Sequence, residues 1–386
     1  MSRVLISGAS IAGPALAYWL NRHGFEVTVV EKAAAIRGGG YPIDIRGTAL
    51  EVVRRMGVRD ALAKAHVDSR RISFLGPDGG LIRALDPQTL TGGVEGRDLE
   101  VRRGDLTEIL YGTVRDDVEF LFGDSIATLD DRADGVEVTL RGGTRRVFDL
   151  VVGADGLHSH TRGLVFGPEE RFHRYLGYCF AGFTMPNHLG LSHEAVMWNV
   201  PGRAAALYAV GDGATVHGFL NFSRDEPPFH AFREPAAQRD LVASVFAGDG
   251  WEVPRLVAAM RSADDLFFDV VSQIRMPRWS SGRVALVGDA AHAPSFLTGQ
   301  GTSLALVGAY TLARELAAGR DHVAAFEAYE RRTRGFVEMN QALVSAGDAA
   351  LFPRTPEALA RRDGMLRGLT ALSSGGRPEH SAITLD

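Results

Sequence analysis

The sequence is poor in several residue types, and each scarcity narrows the class of protein. Cys179 is the only cysteine among 386 residues, so no disulfide can form within one chain. This scarcity of cysteine fits a cytoplasmic protein. Lys32 and Lys64 are the only lysines, and we attribute the arginine excess to coding bias rather than to a function. The net charge of -5 gives no reason to expect nucleic acid as a partner.

Long apolar runs are also scarce. Beyond the N-terminal stretch, no run approaches the ~20 apolar residues of a membrane span, so we expect no stable membrane insertion. The stretch from Val4 to Leu20 carries no charge and has two interpretations, a signal peptide or a strand, turn and helix. We favour the second because glycines occupy turn-forming positions and another strand pattern follows at Glu26 to Val30.

The order of the predicted elements indicates an α/β protein with an inserted β-rich region. Val4 to Ser7, Ala12 to Arg22 and Glu26 to Val30 form a strand, helix and strand, which is typical of a parallel sheet. Residues 72–85 predict a hairpin, and short aromatic-rich strands fill residues 175–275. The other predicted helices are 48–56, 103–111, 237–246, 305–318, 322–344 and 357–372.

These patterns predict two domains that alternate along the chain. The expected cofactor domain is Rossmann-like, and the expected substrate domain is mostly β. The cofactor domain is predicted to comprise residues 1–72, 98–174 and 276–345, and the substrate domain residues 73–97 and 175–275. Residues 346–386 are expected to form a C-terminal helix and a loosely held polar tail.

A glycine-containing loop joins the first predicted strand to the first helix. Residues Gly8 to Gly13 match the Gly-x-Gly-x-x-Gly pattern of dinucleotide-binding proteins except at Ser10. The first glycine allows a tight turn, and the third allows the helix to pack on the strand. The pattern alone is also compatible with an ordinary strand, turn and helix. Glu31 favours the cofactor interpretation, because an acid at the end of the second strand accepts hydrogen bonds from ribose hydroxyls.

A second loop with nucleotide-type features lies near the other end of the chain. An apolar strand leads to Gly288 and Asp289, and Gly299-Gln-Gly301 then precedes a helix. The positive end of that helix suits a phosphate or a reduced isoalloxazine, and Asp289 can accept a hydrogen bond from a ribityl hydroxyl. The alternative interpretation is a turn followed by a helix cap. His292 fits a packed or capping histidine better than a functional one.

Three motifs in this order resemble the class A, p-hydroxybenzoate hydroxylase-like, FAD-dependent monooxygenases. They are the first loop with Glu31, the Asp155-Gly stretch within Asp149 to Arg162, and Gly288-Asp289 with Gly299-Gln-Gly301. The resemblance spans roughly residues 1–345 and is closest to tetracycline-inactivating and polyketide-tailoring members. It implies a Rossmann-like FAD-binding domain of the glutathione reductase and p-hydroxybenzoate hydroxylase type, an inserted substrate domain and C-terminal helices.

Two departures from the family pattern concern the loops around the cofactor. Ser10 replaces the middle glycine of the first loop, and Ser295 to Thr298 stand where many members have a Pro-Pro run. The flavin halogenases share the first loop, but their Trp-x-Trp-x-Ile-Pro motif is not found in this sequence.

The resemblance also implies roles for individual residues. Asp44 would contact FAD, Arg37 would lie on the nicotinamide side, and Arg103 would contact the cofactor. Asp155 and Arg162 are linked in the family to both FAD and NAD(P)H. The predicted cofactor-binding residues are Gly8, Ser10, Ile11, Ala12, Gly13, Glu31, Lys32, Arg37, Asp44, Arg103, Asp155, Arg162, Gly288, Asp289, Gly299, Gln300, Gly301 and Thr302.

The chemistry implied by the resemblance is carried mainly by the cofactor. NADH or NADPH reduces FAD, O2 adds to give a C4a-hydroperoxide, and its distal oxygen attacks an electron-rich carbon. We expect hydroxylation or oxidative modification of an aromatic or polyketide-like small molecule by a monomer or homodimer. Two alternatives remain, a flavin oxidoreductase without oxygen insertion and a non-catalytic flavoprotein that shelters a reactive metabolite. We expect no metal site, since His158 and His160 have no third ligand nearby.

The substrate side of the site is predicted from fewer signals. Arg46 shares a strand face with Asp44 and is the tentative catalytic residue. It either reaches a substrate phenolate or the flavin, or is a solvated arginine. Six aromatic residues fall in the predicted substrate domain. We expect half of them to be core and half to line a pocket for a flat ligand, where Met185 and Met197 would make the pocket wall adaptable. The set is Tyr178, Phe180, Phe183, Trp198, Phe219 and Phe222.

Overall fold

The computed structural model describes residues 2–91, 94, 97–228, 234–319, 321–345, 351–369 and 377–385. Strands and helices are mixed along these ranges, which confirms the predicted α/β class. The strands, β1 to β18 in chain order, are Arg3–Ser7, Glu26–Glu31, Pro42–Ile45, Arg71–Leu75, Leu81–Leu85, Leu99–Arg102, Glu119–Phe122, Ile126–Arg132, Gly135–Leu140, Arg145–Phe148, Leu150–Gly153, His173–Pro186, Glu194–Val200, Arg203–Tyr208, Thr215–Ser223, Phe267–Ile274, Ser280–Ser281 and Val284–Leu286.

The helices pack around the sheets of these strands. In chain order α1 to α12 are Ala12–Arg22, Thr48–Arg55, Arg59–Lys64, Pro87–Thr91, Arg103–Gly112, His160–Phe166, Pro235–Val245, Val253–Ser262, Asp289–His292, Gly301–Ala317, His322–Ala342 and Pro356–Gly368. Short 3₁₀ turns occur at Glu169–Arg171, Phe296–Thr298 and Pro378–Ser381. Among the described residues, no helix combines the length and apolar character needed to cross a membrane.

A six-stranded sheet carries the loops that the sequence singles out. Its strand order is β17-β18-β11-β1-β2-β7, and all neighbours are parallel except β17 and β18. Parallel strands end at the same edge of a sheet, where ligands bind in open α/β folds. The loops that follow β1, β11 and β18 therefore lie side by side.

Different layers cover the two faces of this sheet. Val4 and Ile6 belong to the largest core cluster, together with residues of α1 and α10. Leu5 and Val151 pack instead against the three-stranded antiparallel sheet of β8, β9 and β10. Because successive residues of a strand point to opposite faces, β1 needs apolar side chains at every one of these positions.

A seven-stranded sheet forms the second large layer. Its order is β16-β12-β15-β14-β13-β4-β5, antiparallel except between β13 and β4. The hairpin of β4 and β5 confirms the hairpin predicted for residues 72–85. Helices α7 and α8 pack on this sheet, and Val242, Leu256 and Met260 share its core with Leu220 and Phe222. The sheet draws its strands from two separate segments, which supports the two-domain division that we propose.

Residues 377–385, within the tail that the sequence predicts to be loosely held, make several contacts with the rest of the chain. The side chain of His380 is only 3% exposed. The backbone carbonyls of Glu379 and Ile383 accept hydrogen bonds from Asn340 Nδ2 at 2.9 Å and Thr48 Oγ1 at 2.7 Å. Ile383 and Leu385 also pack, partly buried, against the largest core cluster.

Candidate functional site

The three motifs meet at one edge of the six-stranded sheet. Gly8, directly after β1, has φ 109°, and a Cβ atom at this position would lie 2.5 Å from the carbonyl oxygen of Ala154. Gly288, after β18, has φ 63°, and its Cβ would lie 3.0 Å from the Cβ of Ala12. The loops after β1, β11 and β18 are thus in direct contact, and glycine is required where they touch.

The loop from Gly8 to Gly13 turns tightly from β1 into helix α1. A Cβ on Gly13 would lie 1.9 Å from the carbonyl oxygen of Gly8, so the turn closes only with glycine there. Helix α1 begins at Ala12, preceded by Ile11, whose apolar side chain cannot cap the first amides. The first turn of α1 can therefore bind an anionic group through its N–H groups.

Glu31 fixes the position of this loop from the end of β2. Its Oε2 accepts a hydrogen bond from the backbone N–H of Ala9 at 2.8 Å, and its Oε1 accepts one from Ala33 N–H at 2.9 Å. Each carboxylate oxygen keeps further acceptor capacity. Glu31 also lines a large cavity, so this capacity is available to a hydroxyl-bearing ligand.

Arg103 connects the first loop with Asp289. Its Nη2 donates a 3.1 Å hydrogen bond to Oγ of Ser10, the residue that replaces the family's glycine. Its positive charge lowers the pKa of Asp289, although the larger effect is desolvation by the surrounding protein, which raises that pKa. Asp289 is nevertheless an exposed residue. Arg103 thus places a positive charge between residues from both ends of the chain.

The second glycine loop brings Asp289 to the start of helix α10. Oδ1 of Asp289 lies 3.8 Å from the position that a Cβ on Gly301 would occupy, and Oδ2 of Asp44 lies 3.0 Å from that of Gly299. Gln300 between them is 1% exposed, and neither its Oε1 nor its Nε2 has a hydrogen-bond partner among the described residues. A buried amide of this kind requires a polar partner, which a bound ligand can supply.

A cavity of about 660 Å³ extends from the first loop to the seven-stranded sheet. This volume falls in the range of ligand and cofactor sites. One side is formed by Glu31, Ser10, Arg103 and the segment Arg37 to Tyr41. The opposite side is formed by residues of β12, β15 and β16, which are Gly182, Phe183, Thr184, Thr215, Val216, His217, Phe219 and Phe267.

A second cavity of about 220 Å³ lies between β3, β6 and the seven-stranded sheet. Arg46 lines it, is 7% exposed, and donates to Asp44 with an Nη2–Oδ1 distance of 2.6 Å. The interpretation of Arg46 as a solvated arginine is therefore wrong, while its role toward a ligand stays a prediction. Met197 and Phe219 supply apolar wall to this cavity, and Phe219 lines both cavities.

Two of the six residues in the aromatic set line the larger cavity, fewer than the half that the sequence predicts. Trp198, Tyr178 and Phe222 are fully buried in the core. Phe183 and Phe219 line the larger cavity.

Three predicted cofactor-binding residues lie outside this arrangement. The carboxylate of Asp155 accepts bonds from Thr161 N–H at 2.9 Å and from Ser159, and so holds the start of α6. Arg162 is fully buried, and its guanidinium donates to the carbonyl of Ala290 at 3.0 Å and to other protein oxygens. Lys32 is exposed and lines neither of the two cavities. The Nε of Arg162 has no hydrogen-bond partner among the described residues, and the contacts of Asp155, Arg162 and Lys32 with the cofactor stay predictions.

The histidines near the motifs have structural partners. His292 is buried, its ring centroid lies 4.7 Å from that of Trp279, and desolvation lowers its pKa to about 3. It is therefore a packed histidine, as predicted. His158 bonds the carboxylates of Glu169 and Asp269. Among the described residues, no group of three or more His, Cys, Asp or Glu is placed to bind a metal ion.

Several residues of the two cavities were not predicted from the sequence. Tyr41 lines the larger cavity, while Glu100, Tyr208 and Ser69 line the smaller one. Glu100 lies directly opposite Asp44 in the antiparallel pair of β3 and β6. The only available signal was an acid within the short strand before Arg103, and its pairing with a strand so distant in sequence was not evident.

Comparisons with known proteins agree with this geometry. A sequence profile of the family described as FAD binding domain matches residues 1–177 and 267–342. An uncharacterised protein of Mycobacterium tuberculosis is 47% identical over 347 residues, which are 89% of this chain and 93% of that protein. A flavin-dependent monooxygenase from an unknown prokaryotic organism is 38% identical over 372 residues, 95% of each chain. The crystal structure of the tetracycline destructase Tet(55) has a TM-score of 0.84 and 37% identity, and covers 95% of both chains.

The chain belongs to the FAD binding domain family and to the FAD-dependent monooxygenases within it, as its three motifs indicated. The described residues fit FAD. The amides at the start of α1 suit a phosphate, Glu31 has acceptor capacity at the cavity wall, and the amide of Gln300 needs a polar partner. Asp289 and the start of α10 lie at the other loop.

Proposed function

We propose that this protein is an NAD(P)H-consuming FAD monooxygenase that hydroxylates or oxidatively modifies an aromatic or polyketide-like small molecule. The relatives named flavin-dependent monooxygenase and tetracycline destructase support this proposal. The observation that carries it furthest is the continuity of the larger cavity, which joins the first glycine loop to an aromatic wall of the seven-stranded sheet.

The residues of the two glycine loops would hold the cofactor. Glu31 would accept hydrogen bonds from ribose, the first turn of α1 would bind phosphate, and Asp289 with Gln300 would contact the flavin end. When bound, FAD supplies the electron transfer from NAD(P)H to O2 and the delivery of one oxygen atom to the substrate. The chain itself needs no nucleophile and no metal for this chemistry.

Positive groups beside the cofactor loops would stabilise negative charge there. Arg103 lies between Ser10 and Asp289. The positive end of the dipole of helix α10 lies at its first residue, Gly301. Such groups are most effective in a cleft from which water is excluded. We propose Arg37, at the edge of the larger cavity, as the residue on the nicotinamide side.

The aromatic wall would position a flat substrate and exclude water. Phe180 and Phe219 stack with their ring centroids 5.6 Å apart, and Phe180 also contacts Phe296 at 5.1 Å. Tyr41 meets Phe180 and Phe219 edge-on, which connects this wall to the cofactor segment. An extended aromatic surface of this kind matches the faces of fused-ring ligands.

Oxygen incorporation tests the proposal. NADH and NADPH consumption would be measured with a panel of phenols and aromatic polyketides under ¹⁸O2, with mass spectrometry of the products. We expect substrate-stimulated consumption and products that carry one ¹⁸O atom. Parallel reactions in H2¹⁸O with unlabelled O2 should give no label. Oxidised product without ¹⁸O would show a flavin oxidoreductase, and tight ligand binding without turnover would show a non-catalytic flavoprotein.

A further inference from the structure

The smaller cavity contains a hydrogen-bonded chain that ends on a carboxylate. Tyr208 Oη on β14 donates to Glu100 Oε1 on β6 at 2.7 Å, and Ser69 Oγ hydrogen-bonds the same Tyr208 hydroxyl. All three side chains line the cavity. The Ser69 hydroxyl, the Tyr208 phenol and the Glu100 carboxylate, in that order, form a path along which a proton can move over short distances.

The surroundings of Glu100 make it able to gain or lose a proton near neutral pH. Burial and the negative charge of Asp44 raise the pKa of Glu100 to about 7, against the opposing effects of Tyr208, Ser69 and Arg46. A perturbed acid inside a cavity is a candidate for proton transfer. The other titratable or charged side chains that line this cavity are Asp44, Arg46, His66, Arg71 and Asp98.

The cavity adjoins the cofactor site through strand β3. Asp44, opposite Glu100, lies beside Gly299 of the second glycine loop. The backbone N–H of Arg46 donates to Ser303 Oγ in the first turn of α10 at 3.1 Å. A group bound in the smaller cavity is therefore held next to the loop that carries Asp289 and Gln300.

We propose that Glu100, acting through Tyr208, takes the proton of a phenol or enol hydroxyl that the substrate places in the smaller cavity. This inference rests on the proposed function. The substrate O–H bond breaks, its proton passes to Tyr208 Oη, and the Tyr208 proton passes to a Glu100 oxygen. The negative charge moves from the carboxylate to the substrate oxygen, which Arg46 faces. The substrate ring therefore becomes more electron-rich.

The charges of the cavity favour a neutral hydroxyl over an anionic group. Asp44, Asp98 and Glu100 supply three carboxyl groups, whereas Arg46 is paired with Asp44 and Arg71 with Glu194. A substrate carboxylate would meet like charge in a poorly solvated space, which is strongly unfavourable. A neutral hydroxyl can instead donate a hydrogen bond to Tyr208 or Glu100.

The test compares wild type with Glu100→Gln in the FAD-loaded enzyme. Glutamine keeps an acceptor for the Tyr208 hydroxyl but cannot take a proton. With a substrate phenol that ionises well above neutral pH, we expect Glu100→Gln to lower kcat by roughly 100-fold or more. The wild-type rise of kcat/KM with pH through about 7 should disappear, and the defect should shrink as the pH approaches the pKa of the phenol. Tyr208→Phe, which breaks the chain, should share the defect.

Two controls separate this role from a structural one. Glu137→Gln changes an acid on β9, whose partner is Arg132, and should leave kcat and the pH profile unchanged. The rate of flavin reduction by NAD(P)H without substrate should be the same in Glu100→Gln and wild type, and O-methyl ethers of the reactive phenols should not be oxygenated. An active wild type with unaffected Glu100→Gln kinetics, or rapid turnover of the ethers, overturns this inference alone. A wild type that oxygenates no compound overturns the proposed function first.

Discussion

Asp289 stands between the positive charge of Arg103 and the start of helix α10. The residue is exposed, yet desolvation by the surrounding protein raises the pKa of its carboxyl group. A carboxylate in this position is stabilised when a ligand donates hydrogen bonds to it, because such bonds replace lost solvation. At the residue scale, cofactor retention should therefore depend strongly on this side chain.

We predict that Asp289→Ala lowers the affinity for FAD by about 10-fold or more, because a hydrogen bond to a charged group contributes roughly 1.5–3 kcal/mol. The measurement is the flavin content of the purified protein, followed by titration of the apoprotein with FAD. Asp130→Ala, an exposed acid that pairs with Arg132 on β8, serves as the matched control and should retain FAD. Equal FAD affinity in Asp289→Ala and Asp130→Ala would refute the role of Asp289.

The sequence predicted single residues where a local pattern fixes their geometry. Glu31 and Asp289 follow buried strands and lie beside glycine loops, so their positions at the sheet edge followed from chain order. Glu100 and Tyr208 could not be predicted in this way, because pairing between distant strands brings them together. Nothing in the sequence indicated that Arg162 is buried and donates hydrogen bonds to the carbonyl oxygens of Ala290 and Leu157.

At the scale of elements, helix α5 and the segment before β3 hold each other in place. Gly104 N–H donates to the Gly39 carbonyl at 2.7 Å, and a Cβ on Gly104 would lie 2.3 Å from Gly39 N. Arg103, at the start of this helix, and Gly39 both line the larger cavity. The shape of the cavity therefore depends on close approach between two backbones.

Gly104→Ala should push the segment from Arg37 to Tyr41 away from α5 and weaken FAD binding. Overpacking of this kind costs about 1–3 kcal/mol, so both thermal stability and FAD affinity should fall. Gly112→Ala, at the other end of the same helix, is the matched control. A Cβ there meets no atom within 4 Å, and alanine should raise stability by up to about 1 kcal/mol. Differential scanning calorimetry and FAD titration check both variants, and a Gly104→Ala protein as stable as Gly112→Ala would contradict the packing argument.

Elements with a strong periodic pattern of apolar residues were predictable from the sequence. Elements defined by pairing between strands were less predictable. Helix α1 and the hairpin of β4 and β5 agree with the prediction because their turn glycines and apolar spacing are local signals. The neighbouring strands β10 and β11 are separated by one residue and pair with different sheets. Asp149 is that residue and accepts a 2.6 Å hydrogen bond from Arg3 N–H. No local pattern specifies such a change of sheet.

At the scale of the whole molecule, His158 joins the six-stranded and seven-stranded layers. It lies in the loop between β11 and α6. Its Nε2 bonds Asp269 on β16 at 3.0 Å, and its Nδ1 bonds Glu169 at 2.7 Å. These two carboxylates raise the pKa of His158 from 6.5 to about 10. The folded protein therefore binds this proton more tightly than the unfolded chain does.

The contribution of His158 to stability should depend on pH in a defined direction. It is fully present below pH 6.5, and it is lost as the pH rises through about 10. The melting temperature of His158→Gln should be below that of wild type at pH 7, and the difference should narrow toward pH 10. Paired melting curves across this range, recorded in the same buffers, measure this difference. A difference that stays constant or widens would contradict the assignment.

The account as a whole rests on one FAD molecule held by loops from opposite ends of the chain. A crystal structure of the protein grown with FAD tests this most directly. We predict a single FAD that contacts both Glu31 and Asp289 and borders the wall that contains Phe219. FAD bound away from either acid, or Glu31 and Asp289 contacting different molecules, would contradict the account.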